Sequence, residues 1–162
     1  MKIISKTNPR PEEKSKCVPP SGPEPPAPPQ PPTPAEQEKH AQKKVLIVDD
    51  NAAVCTMLEK LFRLENFLTA VANDGLQCLQ LARVEKPDLI VLDVMLPGMD
   101  GYKVCRMIKF DHQLKDIPVL ILTSRMGDED EKLAYQCGAD AFVVKATKTD
   151  NILVEARKLM EK

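Results

Sequence analysis

Short β-branched runs recur at residues 45–48, 67–71, 89–92, 119–122 and 141–144, and this recurrence constrains the fold more than any other feature of the chain. Each run is too short for a helix and apolar enough to be buried on both faces, so each reads as a strand. Between and after the runs, apolar residues return at helical spacing: Val54, Met57, Leu58, Leu61 and Phe62; Cys78, Leu79 and Ala82; Val104, Cys105 and Ile108; Leu133, Ala134 and Cys137; then Ile152, Leu153, Ala156, Leu159 and Met160. The i, i+3, i+4 rule gives each helix one apolar face. Strand and helix alternate five times, which predicts an α/β domain whose parallel sheet is covered by helices on both faces. The chain stops at Lys162, directly after the fifth helix, so a single domain with no further one attached is expected.

The pattern begins only near residue 43. Of 15 prolines, 12 fall within residues 1–34, and from there to Gln42 the chain is almost all polar. Such a segment buries too little apolar surface to offset chain entropy, so residues 1–42 are expected to form a disordered, proline-rich tail, partly extended as polyproline II. Its prolines also suit docking into an aromatic groove, although a plain linker is the simpler reading. Residues 43–162 are long enough for one core.

The 23 basic and 24 acidic residues leave a formal net charge of −1. Nothing here resembles the electrostatic footprint of a nucleic-acid binder, and no direct nucleic-acid contact is expected. The five cysteines, Cys17, Cys55, Cys78, Cys105 and Cys137, stand at least 23 residues apart, which leaves no CxxC pair for zinc or redox work. Four of them fall in the helical segments, where a free cysteine acts as a small hydrophobe and implies a reducing compartment. No signal peptide is expected, since the amino-terminal apolar run is only Ile3-Ile4, and no apolar run approaches the roughly 18 residues that a membrane span needs. A cytoplasmic protein is expected.

In an open parallel sheet, ligands bind where strands end and loops leave for the helices. Strand one ends in Asp49-Asp50, strand three in Asp93, strand four in Thr123-Ser124 and strand five in Lys145. Three carboxylates together push at least one pKa upward unless a cation sits among them. With oxygen ligands and no His or Cys nearby, the donor set prefers a hard ion, and few carboxylates with retained waters suit Mg²⁺ better than Ca²⁺. Such an ion neutralises charge in phosphoryl transfer. A carboxylate also serves as a nucleophile towards phosphorus, and Asp93, from a central strand, is the natural candidate. Lys145 then offers a point charge and Thr123 a hydroxyl to the phosphoryl oxygens.

Each residue has a plainer reading when taken alone. Asp49 or Asp50 suits a helix cap, Asp93 and Thr123-Ser124 suit turns, and Lys145 suits a solvated charge. Their joint arrival at the correct ends of four strands favours a site.

The residues Val48-Asp49-Asp50-Asn51, Asp74-Gly75, Leu92-Asp93-Val94-Met95-Leu96-Pro97-Gly98-Met99-Asp100-Gly101, Leu122-Thr123-Ser124 and Val144-Lys145 carry a resemblance over residues 43–162. The chain resembles the receiver domain of two-component response regulators, the module known from the chemotaxis regulator. The resemblance implies a doubly wound, flavodoxin-like fold with strand order 2-1-3-4-5. It makes Asp93 the phosphoacceptor, Asp50 and Asp93 direct Mg²⁺ ligands, Asp49 a ligand through water, and the Met95 backbone carbonyl a further ligand. Thr123 and Lys145 receive the phosphoryl oxygens. A histidine kinase or histidine phosphotransfer protein donates the group, and the receiver promotes only its own phosphotransfer and dephosphorylation, so it is not an enzyme in the usual sense. Thr123 and Phe142 form the switch that alters the face of helix four, strand five and helix five, and a phosphorylation-linked dimer through that face is left open.

One residue departs from the family pattern. Ala146 follows Lys145 where the family has proline with a cis bond, so either the Lys145-Ala146 bond is trans and the loop differs, or strain is stored there. Met95 and Arg125 flank the expected path of the hydrolytic water, which predicts a long-lived phosphoform. The function expected is that of a single-domain response regulator acting on another protein. Two alternatives stand beside it: a receiver-like interaction module that does not use phosphate, and an aspartate-nucleophile phosphatase, against which Met95 occupies the place of a second acid.

Overall fold

A computed structural model describes residues 42–125, 127–146 and 148–161. The proline-rich segment and Cys17 lie outside the described residues. Five strands, β1 (Lys44–Val48), β2 (Leu68–Ala72), β3 (Leu89–Leu92), β4 (Val119–Thr123) and β5 (Ala141–Val144), alternate with α1 (Ala52–Leu64), α2 (Gly75–Glu85), α3 (Gly101–Phe110), α4 (Asp128–Gln136) and α5 (Thr149–Met160). All strand pairs are parallel and the order is β2-β1-β3-β4-β5, the doubly wound arrangement expected.

Side-chain alternation divides the central strands between two cores. Leu46, Val48, Ile90, Leu92, Val119 and Ile121 pack under α2, α3 and α4. Val45, Ile47, Leu89, Val91, Leu120 and Leu122 pack under α1 and α5. This explains why β1, β3 and β4 read as unbroken apolar runs: both faces are covered.

The two edge strands differ from the expectation of burial on both faces. β2 is half-buried, with Leu68 45% exposed, and Phe142 and Val144 of β5 are half-buried, because each edge strand has a sheet neighbour on one side only. Phe67 stands just before β2, not in it. After α1, Asn66 takes φ 66°, and the Phe67 N–H donates back to the Phe62 carbonyl while the two rings meet edge to face with centroids 6.1 Å apart. Met57 and Leu133, assigned to apolar helix faces by spacing, are 46% and 42% exposed. The faces that matter are narrower: Cys55, Leu58 and Phe62 on α1, and Ala134 on α4.

The starts of α1, α2 and α3 are secured by polar caps, whereas α4 and α5 have no side-chain cap hydrogen bond. Asn51 accepts from Ala53 and Val54, Asp74 from Gln77, and Asp100 from Tyr102. α3 begins with Gly101 pressed on the end of β3. A Cβ there would stand 2.1 Å from the Asp93 carbonyl oxygen and 2.6 Å from the Val94 Cα. Only glycine fits this approach, and it locks α3 to the backbone that carries Asp93.

Candidate phosphoryl and metal site at the strand ends

The first residue past β1 is Asp49, whose N–H still pairs with the Ala72 carbonyl at 3.1 Å. The strand thus delivers a 1% exposed carboxylate to the top of the sheet. Its Oδ1 accepts from the Asn51 N–H at 2.8 Å and its Oδ2 from the Lys145 ammonium at 2.5 Å. Asp50, next along, is exposed and lines the mouth of the site. Neither acid caps α1, since that role belongs to Asn51.

Asp93 leaves β3 in the same way, its N–H held by the Val48 carbonyl at 2.8 Å. Its carboxyl is 4% exposed. Oδ2 lies 3.1 Å from the Lys145 ammonium, whereas Oδ1 is buried with no hydrogen-bond partner among the described residues. Carboxylate oxygens of Asp49, Asp50 and Asp93 all lie within 4.8 Å of one another.

Burial raises the Asp93 pKa above the ordinary carboxylate range; Lys145 works against that rise, and the neighbouring Asp49 charge adds to it. Burial acts to lower the Lys145 pKa, but its hydrogen bond to Asp49 and the charge and hydrogen bond of Asp93 outweigh it and hold the ammonium above its usual value. Lys145 therefore stays charged and serves both acids.

Three carboxylates facing one ammonium leave two negative charges over when all are ionised. The orphaned Asp93 Oδ1, the tight carboxylate spacing and the all-oxygen donor set fit a hard divalent cation. The group of acids can hold a metal ion.

Thr123 is fully buried at the end of β4. Its Oγ1 accepts from the Arg125 N–H at 3.1 Å, and its carbonyl accepts from the Lys145 N–H at 2.7 Å. This second bond extends the β4–β5 ladder to Lys145. Among the described residues no peptide bond is cis, so Lys145–Ala146 is trans. The lysine nevertheless reaches both acids, which resolves the alternative left open by Ala146: the ladder bond from Thr123, not the geometry of the following bond, brings the ammonium to the site.

Met95 sits in the loop after β3 with its side chain half exposed, and it lines a cavity of about 450 Å³ together with Asp50 and Arg125. Phe142 is opposite Ile121 in the β4–β5 register, two residues before the level of Thr123, and shares that sheet face. The ring lines a separate groove of about 710 Å³ with Tyr135 of α4 and Val154 of α5.

Three local contributors escaped the sequence reading. Asn51 fixes the Asp49 carboxylate and caps α1, a role that the polar Asp-Asp-Asn run before an apolar helix could have signalled. The Cys55 thiol donates to the Asp49 carbonyl at 3.3 Å. Tyr102 meets Asp130 across 28 residues of chain, for which no local pattern exists.

The response regulator receiver domain family matches residues 45–157. The DNA-binding response regulator MtrA of Mycobacterium tuberculosis is 38% identical over 116 residues, which cover 72% of this chain and 50% of MtrA. The chain thus spans about half the length of the curated relatives it matches. Among solved structures, the BeF3-activated receiver domain of RstA from Klebsiella pneumoniae aligns with a TM-score of 0.68 at 28% identity, covering 74% of this chain and all of that one. The chemotaxis protein CheY4 of Vibrio cholerae aligns with a TM-score of 0.69 at 27% identity, covering 74% and 99%. With its sheet order, its acid cluster and its Lys145 cation in place, this chain belongs to the response regulator receiver domain family of two-component signalling.

Proposed function

We propose that this receiver accepts a phosphoryl group on Asp93 from a histidine kinase or histidine phosphotransfer protein, and that the phosphoform switches a protein-binding surface. The observation that carries the reading is the Asp93 carboxyl, buried beside Asp49 and 3.1 Å from the Lys145 ammonium, with its Oδ1 lacking a hydrogen-bond partner among the described residues. An unmade hydrogen bond inside a protein costs about 1–3 kcal/mol, so an orphan at a strand end calls for a functional reason.

In the transfer, an Asp93 oxygen forms a bond to phosphorus as the bond from phosphorus to the donor imidazole nitrogen breaks, and the electron pair returns to that nitrogen. The Lys145 ammonium, already 3.1 Å from Asp93, neutralises the oxygens of the arriving group. The Thr123 hydroxyl supplies a neutral donor from β4. Asp50, Asp93 and the Met95 carbonyl would hold Mg²⁺ directly and Asp49 through water. When bound, the ion offsets charge on the phosphoryl oxygens.

The groove lined by Tyr135, Phe142 and Val154 is the surface that the switch acts on. Asp93 and Lys145 turn over only the chain's own acyl phosphate in this reading, so the protein is a signalling element and not an enzyme acting on other substrates. A formal net charge of −1 supports a protein target, with no direct contact to nucleic acid. The free thiols of Cys55, Cys78, Cys105 and Cys137 support a reducing, cytoplasmic setting. No helix among the described residues is long and apolar enough to cross a membrane.

Acetyl phosphate and Mg²⁺ followed by intact mass test the reading. The full chain is expected to gain one phosphoryl group that Asp93→Asn does not. Absence of any adduct would favour the phosphate-independent module, and rapid turnover of varied phosphomonoesters a phosphatase.

A further inference from the structure

Arg125 is tied to the site by its backbone, whose N–H donates to Thr123 Oγ1 at 3.1 Å. Its side chain lines the same mouth as Asp50 and Met95. In the structure its Nη1 stands 3.7 Å from Asp130 Oδ1, with the two side chains 49% and 26% exposed. An ion pair so long and so wet is weak, and a stronger anion can take the cation from it.

Asp130 is itself held from below. The Tyr102 hydroxyl lies 3.2 Å from both the Asp130 carbonyl and its Oδ1. Tyr102 is 4% exposed and follows Gly101, the residue pressed against the Asp93 carbonyl. The phosphoacceptor and the anchor of Asp130 therefore share one rigid frame. α4 opens with four acids, Asp128, Glu129, Asp130 and Glu131, and Asp130 alone has an ion-pair partner among the described residues. Acids at a helix start have a plain role in opposing the helix dipole. That role does not require one of the four to turn inward onto a buried tyrosine and an arginine at the mouth of the site.

We propose that Arg125 is a further phosphoryl-binding residue of this receiver, parked by Asp130 in the unphosphorylated state, and that Tyr102 is the positioning residue that holds Asp130 for this purpose. The inference rests on the reading of Asp93 as phosphoacceptor. An aspartyl phosphate brings nearly two negative charges and three acceptor oxygens, which match the guanidinium fork better than one carboxylate at 3.7 Å does. Transfer of Arg125 leaves Asp130 bare beside Tyr102 and removes the cation from the first turn of α4. Phosphorylation is thereby reported to α4 through charge as well as through packing.

A double-mutant cycle on the full chain tests the exchange, with acetyl phosphate and Mg²⁺ as the probe and intact mass as the readout. Arg125→Gln is expected to raise the half-saturating acetyl phosphate concentration about tenfold, the scale of one hydrogen bond to a charged group. Arg125→Lys should recover part of that loss. Asp130→Asn, which frees Arg125 from its competitor, is expected to lower the concentration about two- to fivefold, and to have no effect once Arg125 is glutamine. Equal effects of Asp130→Asn in both backgrounds, or none in either, would overturn the inference.

Tyr102 supplies a second readout. The chain has no tryptophan and two tyrosines, so Tyr135→Phe leaves Tyr102 as the sole emitter. Phosphorylation should lower its emission, because a carboxylate freed from Arg125 accepts the phenol proton more fully, and Arg125→Gln should show the low emission from the start. Labelled protein with unchanged emission contradicts the exchange while leaving Asp93 as the acceptor. Failure to label at all removes the Asp93 reading, and the inference falls with it.

Discussion

Lys145 lies 2.5 Å from Asp49 and, through the same ammonium, joins the acid that ends β1 to the acid that ends β3. One residue thus closes the site from the far side of the sheet, although β5, the strand it follows, is separated from β1 by two others. Lys145→Met is expected to slow phosphorylation of Asp93 at least tenfold. It also leaves two buried carboxylates without their cation, a loss of about 3 kcal/mol in urea unfolding without Mg²⁺. Added Mg²⁺ should restore much of the stability but not the rate.

Asp93 lowers the stability of the metal-free protein at neutral pH. Its folded pKa is raised above the unfolded value, so the fold favours the neutral carboxyl. That contribution is fully present below the ordinary carboxylate range and is lost as pH rises through the raised value. Asp93→Asn should therefore be more stable than the natural chain at pH 7 in EDTA, by about 1–3 kcal/mol. The gain should vanish in acid below the ordinary carboxylate range, and urea titrations across pH measure both limits.

Mg²⁺ should raise the unfolding free energy of the natural chain by an amount that grows with the logarithm of its concentration, about 2.7 kcal/mol at a hundred times the dissociation constant. Asp50→Asn is expected to lose most of this gain while unfolding normally in EDTA, because Asp50 is exposed and its removal opens no cavity. Thermal melts with and without Mg²⁺ decide the point.

Gly101→Ala tests the contact between α3 and β3. A methyl group 2.1 Å from the Asp93 carbonyl meets backbone that cannot turn away, so a loss of about 2–3 kcal/mol is expected. The folded fraction should also label more slowly at Asp93. A Gly101→Ala protein of unchanged stability and labelling would mean that the close approach is not needed to position the acid.

Met95 and Arg125 line one cavity with Asp50, and in the proposed function they shield the phosphoryl group from a hydrolytic water. An acyl phosphate that persists longer in this chain than in Met95→Asn is expected, and intact mass followed over time after removal of acetyl phosphate measures it.

The central strands were legible because burial on both faces leaves an unbroken apolar run, as in Val45 to Val48. Edge strands lack that signature, and the apolar run at the start of β2 includes Phe67, whose ring belongs with Phe62 at the end of α1. Asp49, Asp50, Asp93, Thr123 and Lys145 were legible because a parallel sheet brings strand ends to one edge. Met57 and Leu133 misled because spacing alone does not say how wide a helix face is buried. The Tyr102–Asp130 pair and the unpartnered Asp93 Oδ1 depend on three-dimensional packing between distant segments, which no local pattern encodes.

The most direct measurement is hydroxylamine trapping of the protein treated with acetyl phosphate and Mg²⁺, followed by peptide mass mapping. An acyl phosphate is converted to a hydroxamate at the residue that carried it. The hydroxamate is expected on Asp93 and nowhere else, and none should form in Asp93→Asn. A hydroxamate on Asp49 or Asp50, or none in the natural chain, would contradict Asp93 as the phosphoacceptor.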